Sequence, residues 1–447
     1  MTQLSQYYVP GLHVADHVVQ VPLHWNWAAG AAQPDASSFA GEHIDLFYRL
    51  VSSAQNVHAD LPLLLFLQGG PGGMGPRPMS AQSIPWLSEA VKHFRVVLID
   101  QRGTGRSSRV DSSLIRRRGQ NARETADFLK NFLADSIIRD CEFLRTTVFN
   151  SAQWVTLGQS YGGFLTMAYV SLFPASIAAS FVTGGIPHIP MNAREVYEHT
   201  VPRMMAKTKE YYGLYPDDEA VVGRIADFLS SEKVLLPNGD PASVRRLQML
   251  GGDFGMKPSF ERMHWTVDTA FNGEYLSDGF LMELFSSTTS YGSELYWVLQ
   301  EFIYANKEIK PINWAANDVL RSTKQFDESS RPLMLIGEAA LPEIFDEDSA
   351  LRAFRPAMDE LMSDTQWGTV YDEDQLARND IPIHAAVYFD DMYVDSGLQL
   401  DTLSRVGNSH AWVTNEFEHD GARMGAVFEH LYTEALSRGH LEKLFLK

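Results

Sequence analysis

The sequence predicts an α/β protein in which a mostly parallel central sheet, flanked by helices, is interrupted by a largely helical insertion. Continuous apolar runs of strand length recur along the chain, and helical patterns separate several of them. A long block in the second half shows helical patterns almost throughout. We expect residues 1–187 and 366–447 to form the α/β core and residues 188–365 to form a helical cap domain inserted into it. A chain of 447 residues is long enough for both parts.

The individual elements follow from the periodicity of apolar residues. The segment 43–51 alternates like a half-exposed strand, and later strand-like runs lie at 61–67, 94–100, 154–157, 178–183, 383–389 and 411–414. Helical patterns in the core lie at 135–145, 164–172 and 427–438. In the insertion we predict helices at 195–212, 218–231, 243–250, 260–271, 279–284 and 293–306. The alternation of strands and helices before the insertion favours crossover connections and therefore parallel pairing.

Composition and charge narrow the classes of partner. Hydrophobic residues make up 45% of the chain and charged residues 21%, as in an ordinary globular protein. The formal net charge of −19 argues against nucleic acid or an anionic membrane as a partner. No apolar run approaches the length that spans a bilayer. The sequence leaves open whether the protein forms homo-oligomers.

Cysteine content and the N-terminal residues indicate a cytoplasmic protein. Cys141 is the single cysteine, so no internal disulfide can form, which suits a reducing compartment. The first residues lack the basic start and apolar core of a secretion signal. Cys141 lies within a helical pattern, and we expect it to be a packed thiol and not a nucleophile.

The segment 158–163 (GQSYGG) carries the strongest functional signal. It follows the apolar run 154–157 and precedes a helical pattern, which is the strand, Gly-x-Ser-x-Gly, helix layout of a nucleophile elbow. The turn is so tight that its flanking positions must be small, and it forces strained backbone geometry on Ser160. The start of the helix offers backbone N–H groups to a developing negative charge. We predict Ser160 as a nucleophile; a purely structural turn is the alternative.

Two further loops follow predicted strands at the carboxyl edge of the sheet, where such folds place their sites. In residues 68–73 (QGGPGG), glycines allow close approach of the backbone to a ligand, and we assign an oxyanion hole to the N–H groups of Gly70 and Tyr161. A glycine-rich turn without that role is the alternative. Residues 100–107 (DQRGTGRS) lack the lysine of a phosphate-binding loop, so we expect a structural role, with Arg102 internally paired.

An activated serine needs a base, and the base needs an orienting carboxylate. In enzymes with such an elbow the catalytic residues follow one another along the chain as Ser, then Asp or Glu, then His. Asp390 and Asp391 directly follow the predicted strand at 383–389, and His419 follows the last predicted strand. The order does not decide between the two aspartates, and Asp395 is a distant third. The other late histidines are predicted to be structural or solvated: His384, His410, His430 and His440. No clustered ligand pattern suggests a metal, and the chemistry needs no cofactor.

Taken together, the motifs resemble those of a known family. Residues 68–72, 100–107 and 158–163 are similar, as a set and in order, to the proline iminopeptidases, also called prolyl aminopeptidases, serine peptidases of the α/β-hydrolase fold. The resemblance is to the larger bacterial form and covers nearly the whole chain. Further similar segments are 136–142, 183–185, 376–379, 391–394 and 414–419. One departure is Gln68, because many members have histidine there; we expect altered loop bonding without loss of activity.

The resemblance implies roles for particular residues. It makes Ser160 the nucleophile, His419 the base and Asp391 the orienting acid, since the family's aspartate is followed by an apolar residue, here Met392. It implies release of an N-terminal proline from peptides through an acyl-enzyme. The family holds the free amine of that proline against carboxylates of the cap region, and a small apolar pocket receives the ring. The candidates are Glu301 and Glu338, with solvated surface carboxylates as the alternative for each.

Two other functions remain open at this point. An esterase or amidase of the same fold would share every core residue, and the acidic cap residues alone would separate it from the peptidase. A non-catalytic binding protein on a hydrolase scaffold is disfavoured by the intact set Ser160, Asp391 and His419. Epoxide hydrolases and dehalogenases need a carboxylate at the position of Ser160, so they are disfavoured too.

Overall fold

The computed structural model describes residues 1–445, and its centre is a nine-stranded sheet in the order β1-β2-β3-β5-β4-β6-β7-β10-β11. The strands, including a separate hairpin of β8 and β9, are β1 (Thr2–Val9), β2 (Leu12–Pro22), β3 (His43–Ser53), β4 (Leu63–Leu67), β5 (Arg95–Ile99), β6 (Trp154–Gln159), β7 (Ile177–Thr183), β8 (Phe271–Asn272), β9 (Tyr275–Leu276), β10 (Ile383–Tyr388) and β11 (Ser409–Thr414). From β5 to β11 across the sheet all pairs are parallel, whereas β1, β2 and β3 pair antiparallel and β3 pairs antiparallel with β5. The predicted fold class is confirmed.

Helices cover both faces of the sheet and fill the insertion. In chain order they are α1 (Pro85–His93), α2 (Ser112–Arg118), α3 (Ala122–Leu129), α4 (Ala134–Thr147), α5 (Tyr161–Leu172), α6 (Ala193–Leu214), α7 (Pro216–Ser231), α8 (Val244–Met249), α9 (Phe260–Asp268), α10 (Asp278–Thr288), α11 (Glu294–Leu299), α12 (Ala315–Ser322), α13 (Pro342–Glu347), α14 (Arg355–Ser363), α15 (Glu373–Ala377), α16 (Ser396–Leu403), α17 (Gly421–Met424), α18 (Val427–Ser437) and α19 (Glu442–Phe445). Among the described residues, none of these helices combines the length and apolar character needed to cross a bilayer.

All seven predicted strands are present, but the sequence did not predict β1 and β2. Side chains of β1 are almost all exposed, so no apolar run marks it. In β2 the buried Asp16 interrupts the apolar pattern, and it is compensated by Arg49, whose Nε lies 3.0 Å from Oδ1, and by Arg106. A buried ion pair across the β2–β3 ladder thus replaces the apolar contact that the pattern would require.

The insertion lies between β7 and β10 and contains α6 to α15. It has an apolar cluster of its own, which includes Tyr211, Leu247 and Phe280, while α14 packs against α3 of the core. The predicted helix at 260–271 ends at Asp268, because Phe271 pairs with Leu276 in the hairpin. The predicted helix at 293–306 is divided into α11 and a 3-10 turn at Phe302–Tyr304. The exact cap boundaries, 188 and 365, remain a prediction.

Arg102 is internally paired, as predicted, and crosslinks three segments of the core. Its guanidinium donates to both carboxylate oxygens of the buried Asp140, at 2.7 and 2.6 Å. It also donates to the backbone oxygens of Leu23, Asn131 and Pro22, at 2.8, 2.8 and 3.0 Å. A buried charge is tolerated when its hydrogen-bonding capacity is satisfied in this way. The neighbouring Cys141 is buried in α4, and burial raises the pKa of its thiol well above the usual value.

Asp100, the first residue after β5, joins the loops that follow β4 and β5. Its carboxylate accepts two hydrogen bonds from Arg77, both at 2.6 Å, one from Gly75 N at 3.0 Å and one from Arg106 N at 2.9 Å. A carboxylate with four donors is fully satisfied although it is buried. The loop 100–107 therefore shapes the carboxyl edge of the sheet, as the structural interpretation of this motif predicts.

The turn from β6 to α5 is packed against β4 at backbone contact distance. A Cβ atom on Gly162 would lie 1.9 Å from the carbonyl oxygen of Leu67, the last residue of β4. A Cβ atom on Gly158 would lie 2.3 Å from the carbonyl oxygen of Gly162. Glycine at both positions is therefore a steric requirement of the turn.

We predict that Gly162→Ala lowers the free energy of unfolding by at least about 2 kcal/mol, because the added methyl group overlaps a backbone oxygen that cannot move without disturbing β4. Urea unfolding followed by circular dichroism measures this. Gly213→Ala is the matched control: the exposed Gly213 lies in α6 with no atom near its would-be Cβ. The control should be neutral or stabilising by about 0.5 kcal/mol. Equal effects of the two variants would contradict the packing argument.

Candidate active site

Ser160 lies at the β6–α5 turn in a backbone conformation that L-residues rarely adopt. Its φ is 55° and its ψ is −125°, which costs about 1–3 kcal/mol for a residue with a side chain. The neighbouring backbone holds it there: Ser160 N donates to Thr183 O at 3.0 Å, and Gly163 N donates to Ser160 O at 2.7 Å. A Cβ atom on Gly185 would lie 2.0 Å from Ser160 O, so the turn is enclosed on this side too.

The side chains of Ser160, His419 and Asp391 form one continuous hydrogen-bonded chain. His419 Nε2 lies 2.8 Å from Ser160 Oγ, and His419 Nδ1 lies 2.7 Å from Asp391 Oδ2. An ionised Asp391 can only accept, so it selects the tautomer with hydrogen on Nδ1 and leaves Nε2 free to accept the serine proton. This is the arrangement of nucleophile, base and orienting acid.

The structure places Asp391, and not Asp390, against His419. Asp391 is fully buried, and its second oxygen accepts hydrogen bonds from Tyr393 N at 2.9 Å and Val394 N at 3.0 Å. Asp390 is exposed to solvent. Asp395 instead caps α16 and pairs with Arg203. Chain order alone left the two adjacent aspartates equivalent, and the orientation of the turn after β10 distinguishes them.

The surroundings of His419 stabilise its protonated form relative to that of a free imidazole in water. Burial of the imidazole would lower its pKa, but the charge of Asp391 and the hydrogen bond to it outweigh burial, and the charge of Glu338 adds to them. The pKa of His419 is therefore raised above its usual value of 6.5. A raised pKa strengthens the imidazole as a proton acceptor once it is neutral.

Segments of the insertion fix the positions of both catalytic loops. His419 N donates to Gly255 O at 2.9 Å. The hydroxyl of Tyr393, two residues after Asp391, donates to Gly252 O and accepts a hydrogen bond from Gly255 N. Lys207 of α6 pairs with Glu418, Nζ to Oε1 at 2.7 Å, and both side chains are largely buried. Sequence analysis did not identify Lys207, Gly255 or Tyr393 as contributors, because these contacts join distant parts of the chain and carry no local motif.

The glycine-rich loop after β4 lies against the serine. A Cβ atom on Gly69 would be 3.1 Å from Ser160 Cβ and 3.7 Å from Ser160 Oγ. Gly70 has a φ of +134°, which favours glycine, and the loop is held by Gln101 Nε2 donating to Gln68 O at 2.7 Å. Tyr161 is the first residue of α5, where a helix has backbone N–H groups without intrahelical partners. Gly70 thus lines the same cavity as Ser160, and Tyr161 directly follows Ser160 in the chain; their role as an oxyanion hole remains a prediction.

A cavity of about 380 Å³ opens over Ser160 and His419. Its walls come from the core and from the insertion. Apolar and aromatic side chains make up much of the inserted wall, namely Met249, Met256, Tyr296 and Trp297, and Tyr393 of the core adds to the lining. The volume suits a small ligand.

Glu338 lines this cavity. It is half-buried, and the hydroxyl of Tyr296 donates to its carboxylate. Burial raises the pKa of Glu338, and the charge of Asp391 acts in the same direction, while the hydrogen bond from Tyr296 and the charge of His419 oppose them. The alternative of a solvated surface carboxylate is wrong for this residue.

Glu301 is placed differently. It is fully buried and does not line the Ser160 cavity. Its two oxygens accept hydrogen bonds from Ala315 N at 2.9 Å and Ala316 N at 3.1 Å, at the start of α12. Burial raises the pKa of Glu301 to about 8, although the two N–H groups oppose this. The surface alternative is wrong here too, and Glu301 has a helix-capping role that the sequence did not predict.

Two buried tyrosines, Tyr197 and Tyr304, are affected by the charges of both Glu301 and Glu338. Burial raises the pKa of Tyr197 and Tyr304 well above the usual value, and the charges of both Glu301 and Glu338 add to the effect. The two rings pack edge to face with centroids 6.0 Å apart. Among the described residues the buried hydroxyl of Tyr197 has no hydrogen-bond partner. Glu301 and Glu338 thus both act on Tyr197 and Tyr304, although only Glu338 lines the cavity.

Comparison with known proteins identifies the fold family. The model of the alpha/beta hydrolase fold family matches residues 62–221, which include the elbow and the loops after β4 and β5. Fold and site together define a serine hydrolase with the α/β-hydrolase fold. An enol-lactonase from Burkholderia xenovorans aligns with 88% of this chain and 97% of its own at 12% identity, with a TM-score of 0.40.

Two curated relatives extend over most of the chain. A proline iminopeptidase from Aeromonas sobria is 36% identical over 425 residues, which cover 95% of this chain and 96% of the relative. Proline iminopeptidase aneH from Aspergillus aculeatus is 31% identical over 399 residues, 86% of this chain and 87% of its own. The chain belongs to the proline iminopeptidase family, the prolyl aminopeptidases.

We predict that Asp391→Asn lowers kcat by about 10⁴-fold, because the amide no longer selects the tautomer of His419 in which Nε2 accepts the serine proton. Asp390→Asn is the matched control, with the same change of charge one residue away on an exposed side chain. It should change kcat by less than about twofold. Steady-state hydrolysis of prolyl-4-nitroanilide measures both. A large loss in Asp390→Asn with little loss in Asp391→Asn would reverse the assignment.

We predict that kcat/KM rises with pH along a limb whose midpoint lies above 6.5, because the raised pKa of His419 must be passed before the imidazole is a neutral base. The contribution of His419 to the stability of the fold changes with pH in the opposite direction. The ion pair with Asp391 contributes fully below the unfolded pKa of about 6.5, and the contribution is lost as pH rises through the folded pKa. Stopped assays between about pH 5 and 7.5, with stability checked at each pH, test this. A midpoint below 6.5 would contradict it.

Proposed function

We propose that this protein is a serine aminopeptidase that releases N-terminal proline from peptides through an acyl-enzyme. The single observation that carries the proposal is the carboxylate of Glu338, which faces the same cavity as Ser160 and His419. A half-buried carboxylate above the nucleophile suits a substrate with a cationic amine next to the scissile carbonyl. The names of the relatives from Aeromonas sobria and Aspergillus aculeatus support the same substrate class.

The first chemical step is acylation of Ser160. Its Oγ attacks the prolyl carbonyl carbon while His419 Nε2, 2.8 Å away, accepts the hydroxyl proton. Asp391 stabilises the imidazolium that results. The negative charge that develops on the carbonyl oxygen is held by the backbone N–H groups of Gly70 and Tyr161.

Collapse of the tetrahedral intermediate breaks the peptide bond. His419 returns its proton to the leaving amine, which departs with the rest of the peptide and leaves proline esterified to Ser160. Water then enters, His419 accepts one of its protons, and the hydroxide attacks the ester carbonyl at the same oxyanion site. Collapse of this second tetrahedral intermediate breaks the bond between Ser160 Oγ and the carbonyl carbon, and His419 gives its proton to Oγ as proline leaves, so protons and electrons balance over the cycle.

Selection of the substrate depends on the cost of desolvating Glu338. Burial raises the pKa of this carboxyl group, which means that the ionised form is disfavoured in the cavity without a cation. The secondary ammonium of an N-terminal proline offsets that cost, whereas an acylated nitrogen cannot. The adjacent apolar walls, which include Met249 and Trp297, suit the pyrrolidine ring. Specificity and chemistry therefore share one cavity.

We assign Glu301 a supporting part in amine recognition. It caps α12 and influences the same two tyrosines as Glu338. Because Glu301 does not line the Ser160 cavity, we propose an electrostatic contribution and not direct contact. We also propose that residues 188–365 act as the substrate-selecting cap domain, since Met249, Tyr296 and Glu338 all come from this segment. A cytoplasmic location, supported by the single buried thiol of Cys141, completes the proposal.

We predict that prolyl-4-nitroanilide is hydrolysed with a kcat/KM at least about 100-fold higher than its N-acetylated form, because acetylation removes the cation that compensates Glu338. Ser160→Ala should abolish both activities and exposes any background. Equal rates on the two substrates would favour an esterase or amidase, the alternative that shares the catalytic residues. Turnover that survives in Ser160→Ala would contradict serine catalysis altogether.

The same assay separates the two carboxylates. Glu338→Gln should lower kcat/KM for prolyl-4-nitroanilide about 100-fold and reduce the preference over the acetylated substrate. Glu301→Gln should have a smaller effect, because it keeps one acceptor for the α12 N–H groups. Glu261→Gln, an exposed glutamate in α9, is the matched control and should be neutral. Unchanged preference in Glu338→Gln would show that the amine is held elsewhere.

A further inference from the structure

Three histidines meet at the edge of the sheet opposite the Ser160 cavity. His384 and His410 are the second residues of β10 and β11, and the two strands pair in parallel with these residues in register. The catalytic loops with Asp391 and His419 follow the carboxyl ends of the same strands, so the histidines lie at the other edge. His440, just beyond the end of α18, completes the group.

The three imidazoles are arranged closely enough to share one ion. One ligand nitrogen from each of His384, His410 and His440 lies within 4.8 Å of the other two. The ring centroids are 5.0 Å apart for His384 and His410, 4.9 Å for His410 and His440, and 5.2 Å for His384 and His440. His384 Nε2 and His440 Nδ1 are 2.9 Å apart, so a small separation of the rings brings them to the spacing of two ligands on one tetrahedral ion, about 3.3 Å.

A carboxylate orients the buried member of the group. His384 Nδ1 faces Glu434 Oε2 at 3.4 Å, and the other oxygen of Glu434 accepts a hydrogen bond from Arg438 at 3.0 Å. A proton on Nδ1 directed to the carboxylate leaves the lone pair of Nε2 facing His440. A carboxylate behind a ligating histidine is the usual support of a protein metal site. The charge of Arg438 is compensated by the same glutamate, which reduces its repulsion of a cation.

The contact between His384 and His440 is compatible with ligation. His384 Nε2 and His440 Nδ1 lie 2.9 Å apart, so one of the two nitrogens carries the hydrogen of this hydrogen bond and the other accepts it. Ligation of one ion by both nitrogens requires only that this hydrogen moves to the other nitrogen of its ring.

We propose that His384, His410 and His440 bind one divalent transition metal ion, with Zn²⁺ as the ion that best suits three neutral imidazoles. His410 and His440 are partly exposed, so water can complete the coordination. The ion would join the ends of β10 and the edge strand β11 to the segment after α18. Its role is structural and independent of the proposed peptidase function, because the site lies away from Ser160.

The test is titration of the chelator-treated full-length protein with Co²⁺ and Zn²⁺. Wild type should bind one equivalent, with visible absorption of histidine-ligated Co²⁺ that Zn²⁺ displaces. His410→Gln and His440→Gln should each weaken Zn²⁺ binding at least about 100-fold. His430→Gln is the matched control, an exposed histidine of α18 that stacks on Trp412 with centroids 3.8 Å apart, and it should bind like wild type.

Two further measurements make the result decisive. One equivalent of Zn²⁺ should raise the unfolding midpoint of wild type and His430→Gln but not of His410→Gln or His440→Gln. Turnover of prolyl-4-nitroanilide by each protein should be unchanged with and without the metal, which excludes binding at His419 and shows that the variants are folded. Absence of binding in wild type, or equal affinity in all four proteins, would mean that the histidines form only a hydrogen-bonded and stacked cluster.

Discussion

The close packing of the β6–α5 turn between β4 and the segment after β7 is the constraint on which the active site depends. Ser160 can keep its φ of 55° only because the backbone around it leaves no room to relax. Gly162 packs directly against Leu67 O, and Gly185 packs directly against Ser160 O. The sheet supplies this rigidity, and with it the position of Oγ relative to His419. The strain of about 1–3 kcal/mol is thus sustained by the fold and not by the site.

The insertion also holds the two loops that carry the catalytic base and its orienting acid. The loop that contains Gly252 and Gly255 binds Tyr393 and the backbone of His419, and Lys207 pairs with Glu418. The base and its acid therefore sit on loops that the insertion helps to hold. Because the same insertion supplies Glu338, a shift of the cap would alter amine recognition and the base together. This explains why a helical block that follows the elbow in sequence is structurally inseparable from catalysis.

Local signals in the sequence were sufficient for the elbow and for seven of the strands, whereas contacts between distant segments were not predictable. The Gly-x-Ser-x-Gly turn is a steric requirement of a few neighbouring residues, so its pattern is visible in sequence. The choice between Asp390 and Asp391 depends on the direction of a turn, and a family resemblance was needed to prefer Asp391.

Glu301 was predicted as a substrate ligand but caps α12, and β2 was missed because a buried ion pair replaces its apolar pattern. The meeting of His384, His410 and His440 follows from strand register and the end of α18, neither of which the spacing of these histidines along the chain reveals.

The proposed substrate also changes the base that acts on it. The charge of Glu338 contributes to the raised pKa of His419, and His419 in turn favours the ionised form of Glu338. An ammonium bound to Glu338 neutralises the field that this carboxylate exerts on the imidazole. The bound ammonium thus offsets one of the contributions that raise the pKa of His419, while the charge of Asp391 and the hydrogen bond to it remain. Amine recognition and the catalytic base are therefore electrostatically linked, because Glu338 and His419 line one cavity and each affects the protonation of the other.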